Sequence, residues 1–469
     1  MSKKNIKKKD SKFVKKIKQN MYQWHRTIGI ITIIPVIFWT LSGLMHPFMA
    51  HFFKPEIAHE KLEIKTINQN NLRLSIQEVL KKNKIQQFIN FRIVSFNNIT
   101  YYQVKNLIGD LLYFDTSNGK QLENGDAIYA EWLSRYFLDD QKSSVKNNEI
   151  ITEFDNQYKY VNRYLPVYKV TLDRPDTMEV YVETSSSKLA TYNPTSRQFF
   201  IWFFDTFHNW SFIDAMLTFA FSGGYHATTK WDPYTLDQMV YEPTFKTKEI
   251  SLANNKLDLD WNRFQNASLI TFNDSIYFRC QLDEKTTGRF KTPKSDSNSK
   301  WNKKESPKTE VVYINATTNK IVPNLDIQYA EFLAYYFTDG APKAACCEMM
   351  SPELPEESEA SLENVKLLES KVITNFENRE YGFVNKRLPV IKLAYDTPEK
   401  TTYFIETSTS RLAAIVKNSD MVEGYSFAIL HKFLFMDWAG KNIRDFTMVL
   451  AALAILIVSV LGLILFIKK

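Results

Sequence analysis

An uncharged run of 27 residues, Thr27 to Phe53, constrains this chain more than any other feature. It reads TIGIITIIPVIFWTLSGLMHPFMAHFF and holds no Asp, Glu, Lys or Arg. A bilayer core takes about 20 apolar residues at a rise of about 1.5 Å each, so the run is long enough to span. In front of it lies MSKKNIKKKDSKFVKKIKQN, with nine Lys against one Asp. Positive charge is retained on the cytoplasmic side, so this arm holds the N-terminus inside and sends the chain after Phe53 outward. A cleaved signal peptide carries an apolar region of about 7–15 residues ending in small residues. Here the run is longer and closes on HPFMAHFF, which reads as an uncleaved anchor.

A second span closes the chain. Phe446 to Ile467 is uncharged and is followed by Lys468 and Lys469, which place that end in the cytoplasm too. Mean hydropathy is only −0.30, so most of the mass between the two spans is water-soluble. The net charge of +7 is more than supplied by the basic arm, which leaves the body near neutral. A nucleic-acid partner would need a basic patch on that body, and none is seen; the arm is read as a lipid-facing segment. Three cysteines are too few for a disulfide framework. Cys346 and Cys347 are adjacent and poorly placed to pair with each other; Cys280 can pair with one of them, or all three are incidental thiols.

The body repeats. Leu165-Pro166-Val167 recurs as Leu388-Pro389-Val390, and Glu183-Thr184-Ser185 as Glu406-Thr407-Ser408, both 223 residues on. LLYFDTSNGKQL matches VVYINATTNKIV, and YAEWLSRYF matches YAEFLAYYF, 200 residues on. The difference is an acidic Pro/Ser-rich insertion at 341–365, read as a loop or disordered segment. Each copy reads as α+β. In the first, a short helix from Ser75 to Lys84 precedes a meander of FRIVSF, ITYYQVK and LLYFD, with turns at Asn97-Asn98 and Asn118-Gly119. A helix at Asp126–Leu138 follows, then LPVYKVTL, TMEVYVET and KLATYN as further strands.

The expected organisation is a basic arm (1–26), a transmembrane helix (27–53), one extracytoplasmic α+β domain (54–196), an aromatic segment (197–230), a second α+β domain (245–420), a membrane-surface segment (421–445) and a closing transmembrane helix (446–467). The aromatic segment is broken by Asp205, His208 and Asp214. Charges at membrane depth are expensive, and a true span would put like domains on opposite sides. It is therefore read as interfacial or re-entrant.

Of seven histidines, His208 and His431 occupy equivalent places 223 residues apart, each after an α+β copy ends. With His46, at the outer end of the first span, they form a set at one expected depth. Such imidazoles can supply the two axial ligands of a b-type haem, walled by residues such as Trp39, Phe204 and Phe435. The plainer alternative is interface histidines bonded to backbone or lipid headgroups. His25 is the histidine on the inner side. No His-Glu-x-x-His, Gly-x-Ser-x-Gly or Walker loop occurs. Glu183 and Glu406 each end a strand in a Glu-Thr-Ser turn, where a turn-capping role is expected.

Trp24-His25-Arg26 before the first span and Leu41-Ser42-Gly43 within it resemble the PepSY-associated transmembrane family. His431…Phe435…Gly440…Arg444, with Leu461-Gly462 in the span that follows, is similar to that family's last helix, and the two α+β copies resemble its PepSY-type domains. The resemblance implies a bacterial inner-membrane protein concerned with iron uptake or with peptide binding. Its reductase-like members carry b-type haem and reduce ferric siderophores, and for them His25, His46, His208 and His431 are the candidate ligands here. Those members use four spans, whereas this chain offers two firm ones and the broken aromatic stretch. Three functions therefore stand: a haem-dependent ferric-chelate reductase, a membrane-held module that binds a peptide or protease, and an accessory subunit completed by oligomerisation or a larger membrane complex.

Overall fold

The computed structural model describes residues 12–52, 55, 57–207, 239–250, 259–283, 309–340, 362–376, 380–421, 425, 429 and 433–467. They fall into two compact units, one built on the terminal helices and one forming the α+β body.

The helical unit contains α1 (Lys12–Phe52), α4 (Thr195–Phe207) and α6 (Lys441–Ile467), numbered along the chain. Sequence reading placed residues 12–26 in an arm, yet α1 starts at Lys12. Nothing between Lys12 and Arg26 is Gly or Pro, and lysine is a good helix former, so the apolar helix extends back through the basic stretch. Thr32 and Thr40 satisfy their hydroxyls on the carbonyls of Ile28 and Val36, at 2.9 and 2.6 Å, as an apolar helix requires. The Arg26 guanidinium sits 5.2 Å from the Phe466 ring, while Ile33 packs at Gly462. The two contacts run in opposite order along the chain, so α1 and α6 are antiparallel. Phe207 at the end of α4 stacks on Phe38 of α1 with centroids 5.1 Å apart. Both terminal helices are long and apolar enough to cross a membrane, and α6 has no buried residue.

The body begins with α2 (Ile76–Lys82), started by a capping box: Ser75 N–H donates to Glu78 at 2.7 Å, and Glu78 N–H to Ser75 Oγ at 3.3 Å. Strand β1 (Gln87–Phe88) precedes an antiparallel meander of β2 (Asn90–Phe96), β3 (Ile99–Lys105), β4 (Leu111–Asp115) and β5 (Gln121–Leu122). Asn97 and Asn98 both take positive φ, 50° and 62°, which the two-residue hairpin between β2 and β3 needs. Helix α3 (Gly125–Leu138) packs on this sheet and on a second one, β6 (Val145–Ile151), β7 (Val167–Leu172), β8 (Glu179–Glu183) and β9 (Lys188–Asn193). Phe96, Tyr113, Tyr129, Leu133, Val170 and Val180 fill the space between them.

After β10 (Phe245–Lys246), which pairs with β1, the described residues between 264 and 416 run through the same kinds of element in the same order. They are the meander β11 (Phe264–Phe272), β12 (Ser275–Asp283), β13 (Thr309–Asn315) and β14 (Ile321–Val322), the helix α5 (Leu325–Tyr335), and the sheet β15 (Leu367–Ile373), β16 (Val390–Tyr395), β17 (Thr402–Glu406) and β18 (Arg411–Val416). The matched sequence stretches fall on matching elements. Tyr113 donates to Asp126 in the first half at 2.7 Å, and Tyr313 to Asp326 in the second at 2.5 Å. Tyr129 meets Ser187 as Tyr329 meets Ser410.

The halves join along β2 and β11. The Asn90 side-chain amide clamps the Leu269 backbone, Nδ2 donating to Leu269 O at 3.0 Å and Oδ1 accepting from Leu269 N–H at 2.9 Å, and Ile93 N–H donates to Asn266 Oδ1 at 2.8 Å. One core runs through the seam, with Val79, Phe91 and Tyr102 from the first half against Phe264, Leu269 and Phe278 from the second.

Strands β6 and β15 have no counterpart in the sequence reading. Both are edge strands and mostly exposed, so VKNNEII and LLESKVI lack the apolar alternation that betrays a half-buried strand. Residues 341–361 of the 341–365 insertion and residues 208–230 of the aromatic segment lie outside the described residues; Leu362–Asn364, at the end of the insertion, form a short 3-10 turn.

Candidate functional site

Each second sheet ends its third strand on a glutamate, and both glutamates are buried: Glu183 closes β8 and Glu406 closes β17. The turn that follows caps each carboxylate three residues on, Ser186 donating to Glu183 and Thr409 to Glu406. The capping expected from sequence is therefore present, but it is the lesser part of their environment.

Arg387, 1% exposed, bridges the two halves. Its Nη1 lies 3.0 Å from Glu406 and its Nη2 3.5 Å from Glu183. Lys188 of the first half pairs with Glu406 from the other side. The first-half residue matching Arg387 is Tyr164, whose ring lies 4.7 Å from the guanidinium carbon and whose hydroxyl donates to Lys386 O at 2.9 Å. Two positions that correspond in sequence thus stack on each other where the halves meet. Burial works against the Glu406 carboxylate, but Lys188 and Arg387 outweigh it and hold its carboxyl well below the usual carboxylate range. Burial likewise opposes the Arg387 cation, and Glu183 and Glu406 more than offset it. Burial pushes the Tyr164 phenol well up. At neutral pH Glu406 is therefore held ionised and Tyr164 protonated.

Beside this cluster lies a cavity of about 110 Å³. Its wall takes Arg92 and Ser185 from the first half, Ser408 and Arg411 from the second, and Tyr241 and Glu242 from the segment joining them. That segment is tied down by Tyr241 N–H donating to Ser410 O at 2.9 Å and by the bridge between Val240 and Arg411. Lys105 at the rim pairs with Glu242 at 2.5 Å. Arg92 donates to the Ser185 carbonyl and, at 2.8 Å, to Ser187 Oγ. The Ser185 and Ser408 hydroxyls have no protein partner among the described residues, and they occupy the same place in the two Glu-Thr-Ser turns. Four basic side chains line the space against two acidic ones. The arrangement suits recognition of a small polar molecule by fixed charges and hydroxyls.

The histidines are placed less fully. His25 lies exposed on α1. His46 is also on α1, 21 residues further on, and its side chain is outside the described residues, as are His208 and His431 entirely. The haem-ligand set predicted from sequence is thus not brought together or separated by what is described. Among the described residues no group of three or more His, Cys, Asp or Glu converges on one point. Cys280 is a buried free thiol pushed up to about 12 by burial, which makes it a poor nucleophile; Cys346 and Cys347 lie outside the described residues.

Sequence reasoning missed Arg387, Lys188 and Arg92. The one available signal was the mismatch of Tyr164 with Arg387 inside otherwise matched stretches, which marks a position doing different work in the two halves.

Comparison with models of protein families, with curated proteins and with solved structures finds no match.

Proposed function

We propose that this chain is a binding module held at a membrane: two copies of one PepSY-like α+β unit, carried on the outer face of a bacterial inner membrane by α1 and α6, with an open ligand cavity at the junction of the copies. The observation that carries the reading is the cavity wall, to which the two Glu-Thr-Ser turns contribute Ser185 and Ser408 from corresponding places. A space built jointly by both halves and lined by fixed charges and hydroxyls supports binding of a small polar ligand. The antiparallel α1 and α6, and the lysines at both ends of the chain, support cytoplasmic termini. The test is a thermal-shift screen of metabolites and short peptides on the purified full chain. Some compounds should stabilise the wild type saturably, and neither Ser185→Trp nor Ser408→Trp, each of which fills the cavity from one half, should respond to them. Equal stabilisation of the filled variants would contradict the reading.

A second reading, a b-type haem protein that reduces a ferric siderophore, is favoured by one observation. Phe207 stacks on Phe38, which brings the aromatic α4 against α1 between His25 and His46. An absorbance spectrum before and after dithionite should then show b-type bands that His431→Ala bleaches. A colourless protein from haem-replete cells would remove this reading.

A further inference from the structure

We infer that the cavity between the halves is a site for a small carboxylate with an apolar tail, gripped by Arg92. The inference rests on the binding-module reading and names the ligand class.

Charge supplies the first reason. Among the basic groups of the wall, Lys105 is matched by Glu242 and Arg387 by Glu183. Arg92 binds only neutral oxygens among the described residues, the Ser185 carbonyl and the Ser187 hydroxyl. Those two bonds use two of the five N–H donors of the Arg92 guanidinium, whose planar fork matches a carboxylate. The Ser185 and Ser408 hydroxyls add uncommitted donors from the two halves.

The second reason is what surrounds those donors. Ile89, Leu111 and Pro243, all only partly buried, line the same cavity, so an acid with a short apolar chain covers surface that a fully hydrated anion would leave wet. With Glu183 and Glu242 paired to Arg387 and Lys105, the single Arg92 charge suits one negative charge, which favours a monocarboxylate over phosphate. Either a free organic acid or the C-terminus of a peptide ending in an apolar residue offers this chemistry.

Isothermal titration of the full chain in detergent tests it. The probes are isovalerate, isovaleramide, inorganic phosphate, and acetyl-Ala-Val as the free acid and as its C-terminal amide. Isovalerate should bind saturably and isovaleramide should not. Arg92→Ala should weaken isovalerate at least tenfold. Should that variant melt early, Ser408→Ala provides the reading, with a several-fold loss and an unchanged melting temperature in the absence of probe. Tighter binding of the peptide acid than of isovalerate supports a peptide C-terminus as the source, and the reverse order supports a free acid. Equal binding of acid and amide, preference for phosphate, or wild-type affinity in Arg92→Ala would overturn the assignment. If the cavity-filled variants lose stabilisation by other compounds while no carboxylate binds, the carboxylate fails and the binding module stands.

Discussion

Arg387 carries two glutamates, one from each half, and all three are almost wholly buried. Removing one partner of such a group leaves charge buried and unmatched, which costs about 3–5 kcal/mol. Arg387→Ala should lose stability of that order by urea denaturation, whereas Tyr164→Phe, which gives up one hydrogen bond to Lys386 O, should lose about 1 kcal/mol. The same cluster sets an acid limb. Because the Glu406 carboxyl is held below its ordinary value of 4.5, its stabilising contribution is complete above about pH 4.5 and disappears as pH falls through the depressed folded value. Glu406→Gln should therefore lower stability at pH 7 and flatten its fall below pH 4.5; an unchanged acid limb would contradict this. The sequence exposed Glu183 and Glu406 as equivalent turn residues, and their turns do cap them. Their ion pairing depends on which residue faces them across the halves, which no local pattern encodes.

Among the elements, α3 shows how closely a helix start and a strand can be coupled. A Cβ on Gly125 would come within 2.8 Å of the Tyr113 side chain, whose hydroxyl donates to Asp126 one residue further on. Gly125→Ala must push Tyr113 aside, with an expected cost of about 1–3 kcal/mol by thermal or chemical melting. A neutral result would mean the ring relocates freely. Helices and hairpins were legible where local chemistry declares them: the short helix opening at Ser75, which the structure starts with a capping box, and the Asn97-Asn98 turn. Strands β6 and β15 were not, since an exposed edge carries no periodic apolar signal. The extension of α1 back to Lys12 was also missed, because charge marks where a span ends without marking where its helix ends.

For the whole molecule, the core shared across β2 and β11 means that neither half buries its apolar surface alone. Phe91 packs edge-on against Phe278 with centroids 6.2 Å apart. Residues 57–194 expressed alone should bind a hydrophobic dye and melt without cooperativity, whereas a sharp two-state transition would show that the half is self-sufficient. The two apolar helices and the succession of α+β elements were readable from hydropathy and internal matches. The cavity was not, since its wall draws on residues as distant in sequence as Arg92 and Arg411. The most direct test of a membrane-held, outward-facing binding module is labelling of Ser185→Cys, in a background with Cys280, Cys346 and Cys347 replaced by Ala, using a membrane-impermeant maleimide on right-side-out vesicles. Ser185 is exposed at the cavity wall. The introduced thiol should label without permeabilisation, and a stabilising compound from the screen should slow that labelling. Labelling only after the membrane is opened, or a rate indifferent to every stabilising compound, would contradict the account.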